Sequence, residues 1–450
     1  MSLRKDFIWG AATAAYQIEG ACNVGGRGLS IWDSPYTRGH IVGDQKGDIA
    51  VDHYHRYKED VALMKEIGLK AYRFSVSWPR LINVKTGEIN EDGRRFYVDL
   101  VDELLKAGIE PWVTVYHWDL PIEYMERGGF LWNGISDEFA KYAATVVKIF
   151  GEKVKNYFIF NEPQCVVEEG YFSGNHAPFL RLERKEVFKA AHNVLLSIGK
   201  AEKAMRKAAK HKLNLGIAPC FAPAMPKDKK DEKLAAEYQF TPSGDFYDGC
   251  YFTDPVFKGK FPENYKQWFE ENDYHPSEED MKIIKSDLDF FGMNFYRGFY
   301  YENTADGLKR VKVLPTDELT AMDWCVTPEA IEYLTKYYHD RYGLPLIISE
   351  NGVALTEWKI SDGSIPDDMR IDYMKRHIDE IKKVADKYSV IGYFYWTLMD
   401  NYEWALGYTK RFGLIYVDYK TQERTLKKSA YWYKKVIETN GDTDLKFEIK

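Results

Sequence analysis

Eight short runs of apolar, β-branched and aromatic residues recur along the chain: Phe7 to Ala12, Leu69 to Trp78, Ile109 to His117, Val154 to Asn161, Leu213 to Pro219, Leu288 to Tyr296, Leu344 to Glu350 and Ile391 to Leu398. They are apolar nearly throughout rather than alternating, the pattern of strands buried on both faces. Between them lie segments with helical period and charge pairing, among them Lys58 to Ile67, Arg94 to Ala107, Asp137 to Phe150, Lys185 to Lys210, Pro328 to Tyr342 and Asp367 to Tyr388. Strand alternating with helix implies parallel strands, and eight strands close a barrel. The expected fold class is α/β, one (β/α)8 TIM barrel with long βα loops, treated as a single domain over residues 1–450. No Pro/Gly/Ser-rich linker or low-complexity stretch divides the chain. Strand spacing is irregular, so no internal repeat is expected. From Cys220 to Asp287, Pro-containing turns and short helical pieces replace one clean helix, so loops should decorate the barrel there.

The net charge of -7 and pI near 5.9 supply no basic footprint for a phosphate backbone, so nucleic acid is not expected as a partner. No stretch is apolar enough to span a bilayer, and Met1 to Gly10 lacks a signal-peptide apolar region. A cytoplasmic protein is expected, with homo-oligomerisation left open. Five dispersed cysteines, Cys22, Cys165, Cys220, Cys250 and Cys325, form no CxxC pair and read as reduced, mostly packed thiols. His53 and His55 are the nearest approach to a ligand pair, too few for a metal site. No metal and no cofactor is expected. Aromatic residues make up 16% of the chain, more than a core alone is expected to need, and rings with polar tips suit flat, hydroxylated ligands.

Active sites of such barrels form at the C-terminal strand ends. Gathered there are Gln17, Arg73 and Trp78, His117 and Trp118, Asn161 and Glu162, Asn294 and Tyr296, Glu350 and Asn351, then Trp396, Asp400, Glu403 and Trp404. Two carboxylates with amide, imidazole and indole neighbours suit acid/base and nucleophilic work on a neutral polyol such as a glycoside. Each residue alone has a plainer reading. Glu162 before Pro163 fits a helix N-cap, and Glu350-Asn351-Gly352 fits a polar turn using glycine for positive φ. The tryptophans and His117 fit packing positions. Arg73 in an apolar strand needs an acceptor, and Glu350 is the partner expected.

At these residues the chain resembles glycoside hydrolase family 1, the β-glucosidase type. Phe7 to Ala21 resembles the family's N-terminal signature, Asn161-Glu162-Pro163 its acid/base motif and Glu350-Asn351-Gly352 its nucleophile motif. The resemblance runs from Phe7 to about Tyr431. It implies Glu350 as nucleophile and Glu162 as general acid then base. It also implies Asn161 on the sugar 2-hydroxyl, and Tyr296 and Arg73 holding the nucleophile, with Asn294 in support. Gln17, His117, Trp118, Trp396, Glu403 and Trp404 are expected to bind sugar, and Trp324 to flank the leaving group. Ile159 and Ser349 stand where the family usually has Thr, and Phe179 where Gly is common, so the loop after the fourth strand should differ in shape.

The expected activity is a retaining, exo-acting β-glucosidase with β-galactosidase or β-fucosidase side activity, acting on small β-glycosides or cello-oligosaccharides. The carboxyl groups should then lie about 5 Å apart. Glu350's charge should raise the pKa of Glu162, with Arg73 holding that of Glu350 down. Alternatives are a 6-phospho-β-glycosidase, a transglycosylase or a non-catalytic carbohydrate binder. Glu403 argues against the first, because a carboxylate repels a sugar phosphate.

Overall fold

The computed structural model describes residues 3–445. All eight apolar runs form parallel strands of one sheet: β1 (Ile8–Ala12), β2 (Ala71–Ser75), β3 (Glu110–Tyr116), β4 (Asn156–Asn161), β5 (Asn214–Ala218), β6 (Phe291–Phe295), β7 (Leu346–Asn351) and β8 (Val390–Trp396). The spatial order β5-β4-β3-β2-β1-β8-β7-β6 ends on Cys220–Phe221, the continuation of β5, which pairs with β6 and closes the barrel. Pro219 breaks that strand in two because it has no N–H to donate. Its carbonyl still accepts from Asn294 N at 2.9 Å, and that of Ala218 accepts from Glu162 N at 2.8 Å.

Around the ring lie α1 (His53–Ile67), α2 (Glu91–Lys106), α3 (Ile135–Phe150), α4 (Arg184–Ala208), α5 (Ala330–Tyr342), α6 (Asp368–Val384) and α7 (Lys428–Glu438). The first six match the periodic segments. In α2 the buried positions Phe96, Tyr97, Leu100, Val101 and Leu104 recur at spacings of three and four, so one face meets the sheet. Each such side chain contributes about 1.5–3 kcal/mol by leaving water, and Leu104→Ala would cost about 2–5 kcal/mol. Between β5 and β6 lie the short helices Glu232–Gln239, Asp254–Lys258, Lys266–Glu271 and Glu278–Ile284, as the irregular composition there implies. After β6, strands Phe299–Thr304 and Gly307–Arg310 form a small side sheet with Ala224–Pro226, an addition not anticipated. Among the described residues no helix is long and apolar enough to cross a membrane.

Much of the aromatic content is structural, and the core takes more of it than expected. Trp112 packs 5.5 Å from both Phe290 and Phe394, and Phe158 lies 5.1 Å from Phe290. Glycine makes room for these rings. A Cβ at Gly10 would lie 2.6 Å from Phe394, and one at Gly216 would lie 2.3 Å from Phe290. Trp78 is also a packing residue: it opens the short helix Trp78–Leu81 beyond β2 and stacks on Tyr142 at 4.7 Å.

Candidate active site

Glu162 follows β4 in the left-handed region, φ 42°, directly before Pro163 at the start of the helix Pro163–Val167. Its backbone occupies the N-cap position, but its side chain caps nothing. The carboxylate instead accepts from Asn294 Nδ2 at 2.7 Å and from Cys165 Sγ at 3.0 Å. A non-glycine residue in this region costs about 1–3 kcal/mol, which the surrounding ladder and the helix start offset.

Glu350 ends on the other side of the ring, in β7, held by two donors. Arg73 Nη1 donates to Glu350 Oε1 at 2.7 Å, and Tyr296 donates its hydroxyl to Oε2 at 2.6 Å. The remaining Arg73 donors reach Ser349 O at 2.9 Å, Asn161 Oδ1 at 2.6 Å and Thr114 Oγ1 at 3.0 Å. A buried guanidinium is tolerable only with this density of acceptors. Asn294 Nδ2 also donates to Asn161 Oδ1 at 3.0 Å, while Ser349 Oγ donates to Asn294 Oδ1 at 2.7 Å. Ser349 thus orients Asn294, a role for which sequence reading offered no signal. Glu162 is 6% exposed and Glu350 3%, so both carboxyls are buried.

Two neighbours of Glu350 depart from the expected pattern. Asn351 faces away from the pocket, donating to Phe295 O at 2.9 Å and to Tyr373 Oη at 3.1 Å. Gly352 is required by contact rather than by positive φ, since a Cβ there would lie 1.7 Å from Trp396 O.

Burial pushes the carboxyl of Glu162 up to about 7, with the charge of Glu350 second. The charge of Glu350 acts as expected, and burial, which was not anticipated, is the larger cause. Burial also raises Glu350, opposed by Arg73 and by the Tyr296 hydrogen bond. A cation and a phenol stabilise the charge on Glu350, whereas Glu162 has only an amide and a thiol. When the pair carries one proton, Glu162 holds it.

Toward the pocket mouth, His117 Nε2 meets Asn161 Nδ2 at 3.0 Å. Asn161 Oδ1 is already an acceptor, so its amide donates to Nε2 and the imidazole proton sits on Nδ1. Burial and Arg73 lower the His117 pKa well below its usual value, keeping the ring neutral. Nδ1 is buried without a protein partner, as is Gln17 Oε1: a donor and an acceptor left for ligand hydroxyls. Gln17 Nε2 donates to Tyr402 O at 2.8 Å and lies 3.3 Å from Glu403 Oε2.

Trp396 stacks on His117 at 5.8 Å, and Trp404 lies 4.7 Å from both Trp32 and Trp118. Trp118 uses its indole N–H on Asn161 O at 3.1 Å, so it braces Asn161 rather than offering a free donor. Trp324 is half-buried beside Tyr296, 5.2 Å between rings. Phe179, φ 59°, stacks on His40 at 4.4 Å and meets Trp32 edge-on, which is how the loop after β4 is shaped at the position expected to differ.

Glu403 is pushed up to about 8, by burial first and then by Glu350 and Glu162. Near neutrality it is mostly the neutral acid, so charge repulsion of a phosphate is weaker than expected from a carboxylate. Lys410 lies close enough for its charge to oppose that rise, and its ammonium also donates to Ala321 O. Asp400, gathered with the strand-end residues, belongs elsewhere: it pairs with Lys427 at 2.8 Å and Arg411 at 2.5 Å. His53 pairs with Asp60 and His55 with Asp52, not with each other. The separation of the cysteines in sequence also misleads, because Cys165 Sγ and Cys220 Sγ lie 3.6 Å apart beside Glu162.

The glycosyl hydrolase family 1 model matches residues 1–442. The chain is 41% identical to β-glucosidase A of Acetivibrio thermocellus over 447 residues, 97% of this chain and 98% of that protein. It is 38% identical to the aryl-phospho-β-D-glucosidase BglC of Bacillus subtilis over 477 residues, 98% of each. The fold superimposes on β-glucosidase from Thermotoga maritima in complex with glucoimidazole, TM-score 0.89 and 38% identity, covering 98% of this chain and 99% of that one.

Proposed function

The chain belongs to glycosyl hydrolase family 1, and we propose that it is a retaining, exo-acting β-glucosidase releasing terminal non-reducing β-D-glucosyl residues. β-Galactoside and β-fucoside cleavage are proposed as side activities, and small β-glycosides or cello-oligosaccharides as substrates. The observation that carries this reading is the asymmetry between two neighbouring buried carboxyls, Glu350 held by Arg73 and Tyr296, Glu162 raised to about 7.

In the proposed reaction ionised Glu350 attacks C1 of the bound sugar. The C1–O bond breaks and the proton of Glu162 passes to the leaving oxygen, giving a covalent glycosyl-enzyme. Glu162, now a carboxylate, takes a proton from water. That water's oxygen attacks C1, the bond to Glu350 breaks, and both carboxyls return to their starting states. Carboxyl groups about 5–5.5 Å apart suit this double displacement. Asn161 is assigned to the 2-hydroxyl, Gln17, His117 and Glu403 to the other hydroxyls, Trp396 and Trp404 to the sugar face, and Trp324 to the leaving group. Arg73, Tyr296, Asn294 and Trp118 position the reacting groups.

The relative from B. subtilis gives a 6-phospho-β-glycosidase standing as the second reading. Against it stands the acid Glu403, and for it the nearby cation Lys410. Hydrolysis of nitrophenyl β-glucoside, β-galactoside and 6-phospho-β-glucoside by purified protein decides between them. Preference for the phosphorylated sugar would overturn the main reading, and no cleavage of any would favour a carbohydrate binder. A cytoplasmic location fits the five free thiols, and the acidic net charge disfavours nucleic acid as a partner.

A further inference from the structure

Cys165, on the short helix after Glu162, and Cys220, just past Pro219, bring two thiols and one carboxylate together. The three ligand atoms lie within 4.8 Å of one another. Cys165 Sγ is 3.6 Å from Cys220 Sγ and 3.0 Å from Glu162 Oε2. A tetrahedral zinc with Zn–S of about 2.3 Å holds neighbouring sulfurs about 3.7–3.8 Å apart, almost the spacing found. A disulfide needs about 2.05 Å, so oxidation would require a much larger closing motion. We propose that Cys165, Cys220 and Glu162 form a binding site for a soft divalent cation of the zinc and cadmium class, and that filling it switches hydrolysis off.

The donor set of two sulfurs and one carboxylate oxygen selects borderline-soft ions over magnesium or calcium. Solvent reaches the group past half-buried Cys220 and past Tyr247, which is 39% exposed with its hydroxyl 3.4 Å from Cys165 Sγ. That hydroxyl or a solvent oxygen completes four-coordination. Glu350 adds negative charge nearby, and Arg297, with Cys220 and Tyr247 among its neighbours, opposes it in part. On binding, both sulfurs and the Glu162 carboxyl release their protons to solvent, and Glu162 coordinates as the carboxylate. A metal-held Glu162 has no proton for a leaving group, so the inhibitory half rests on the function proposed above; the binding half does not.

The test is a cadmium titration of the chelator-stripped full chain in a non-thiol reductant, read by thiolate-to-cadmium charge-transfer absorbance and by glycosidase rate. The expected result is one tight cadmium per chain, displaced by zinc, with the rate falling in step. Cys220→Ser should keep metal-free activity, while Cys220→Ser and Cys165→Ser each weaken the tight site beyond the roughly 10- to 100-fold loss of an outer-shell change. Absence of the band, or a band unchanged in both variants, overturns the site. Binding without loss of rate overturns the inhibition alone. If the metal-free chain cleaves no glycoside, the function reading fails while the band still reports on the site.

Discussion

Arg73 Nη1 lies 2.7 Å from Glu350 Oε1, with neither side chain more than 3% exposed. An ion pair this dry is no simple stabiliser, since desolvation offsets most of its attraction. Its consequence is directional: Arg73 also grips Asn161 at 2.6 Å, so one cation sets the charge of one carboxyl and the pose of the residue preceding the other.

Glu350→Gly should abolish turnover of nitrophenyl β-glucoside while leaving the fold intact by circular dichroism. A small anion such as azide should then restore cleavage and give the inverted glycosyl product. Full activity in the variant without added anion rules out covalent catalysis by Glu350.

Activity against pH should be bell-shaped, the acid limb reporting ionisation of Glu350 and the alkaline limb loss of the Glu162 proton near 7. A flat profile from about pH 4 to 8 contradicts the pairing. Because the folded-state value of Glu162 is raised from 4.5 to about 7, the folded chain binds more protons than the unfolded one in that window. Its contribution to stability is present below 4.5 and lost as pH rises through 7. Glu162→Gln should therefore gain stability relative to the parent at alkaline pH, on the order of 1–3 kcal/mol, and little under acid conditions. Denaturant melts at both pH values measure it.

Tyr296→Phe removes the 2.6 Å hydrogen bond to Glu350. Without it Glu350 is pushed further up, and the acid limb should move to higher pH. The loss of rate should be about 10²–10³-fold, as for other lost charge-stabilising donors. An unmoved acid limb would show that the hydroxyl does not act through Glu350.

Lys427→Met should unfold at markedly lower denaturant. Lys427 is fully buried between Asp400 and Glu357, and deleting one partner of a buried charge network costs about 3–5 kcal/mol. Unchanged stability would mean that these acids find other partners.

The barrel was legible because a parallel strand is buried on both faces, so strands such as β4 and β7 are plain in composition. Glu162 and Glu350 were legible because each carboxylate stands where such a run stops. Trp78 and Asp400 were misplaced for the same reason: nearness to a strand end says nothing about which way a side chain turns. Trp78 turned outward onto Tyr142, and Asp400 toward Lys427. The contribution of burial to the raised pKa of Glu162 also escaped, since depth of burial is a property of the folded chain. Cys165 and Cys220, 55 residues apart, meet only because the barrel sets the ends of β4 and β5 side by side.

The interruption of the fifth strand has one more effect. Successive carbonyls, of Ala218 and Pro219, hold the main-chain amides of Glu162 and Asn294, so two adjoining peptide units gauge the gap between the Glu162 carboxyl and the amide that donates to it. Backbone atoms, common to every residue type, do the measuring. The spacing of the two side chains is thereby tied to the path of the main chain, and a substitution on that strand alters it only by moving that path.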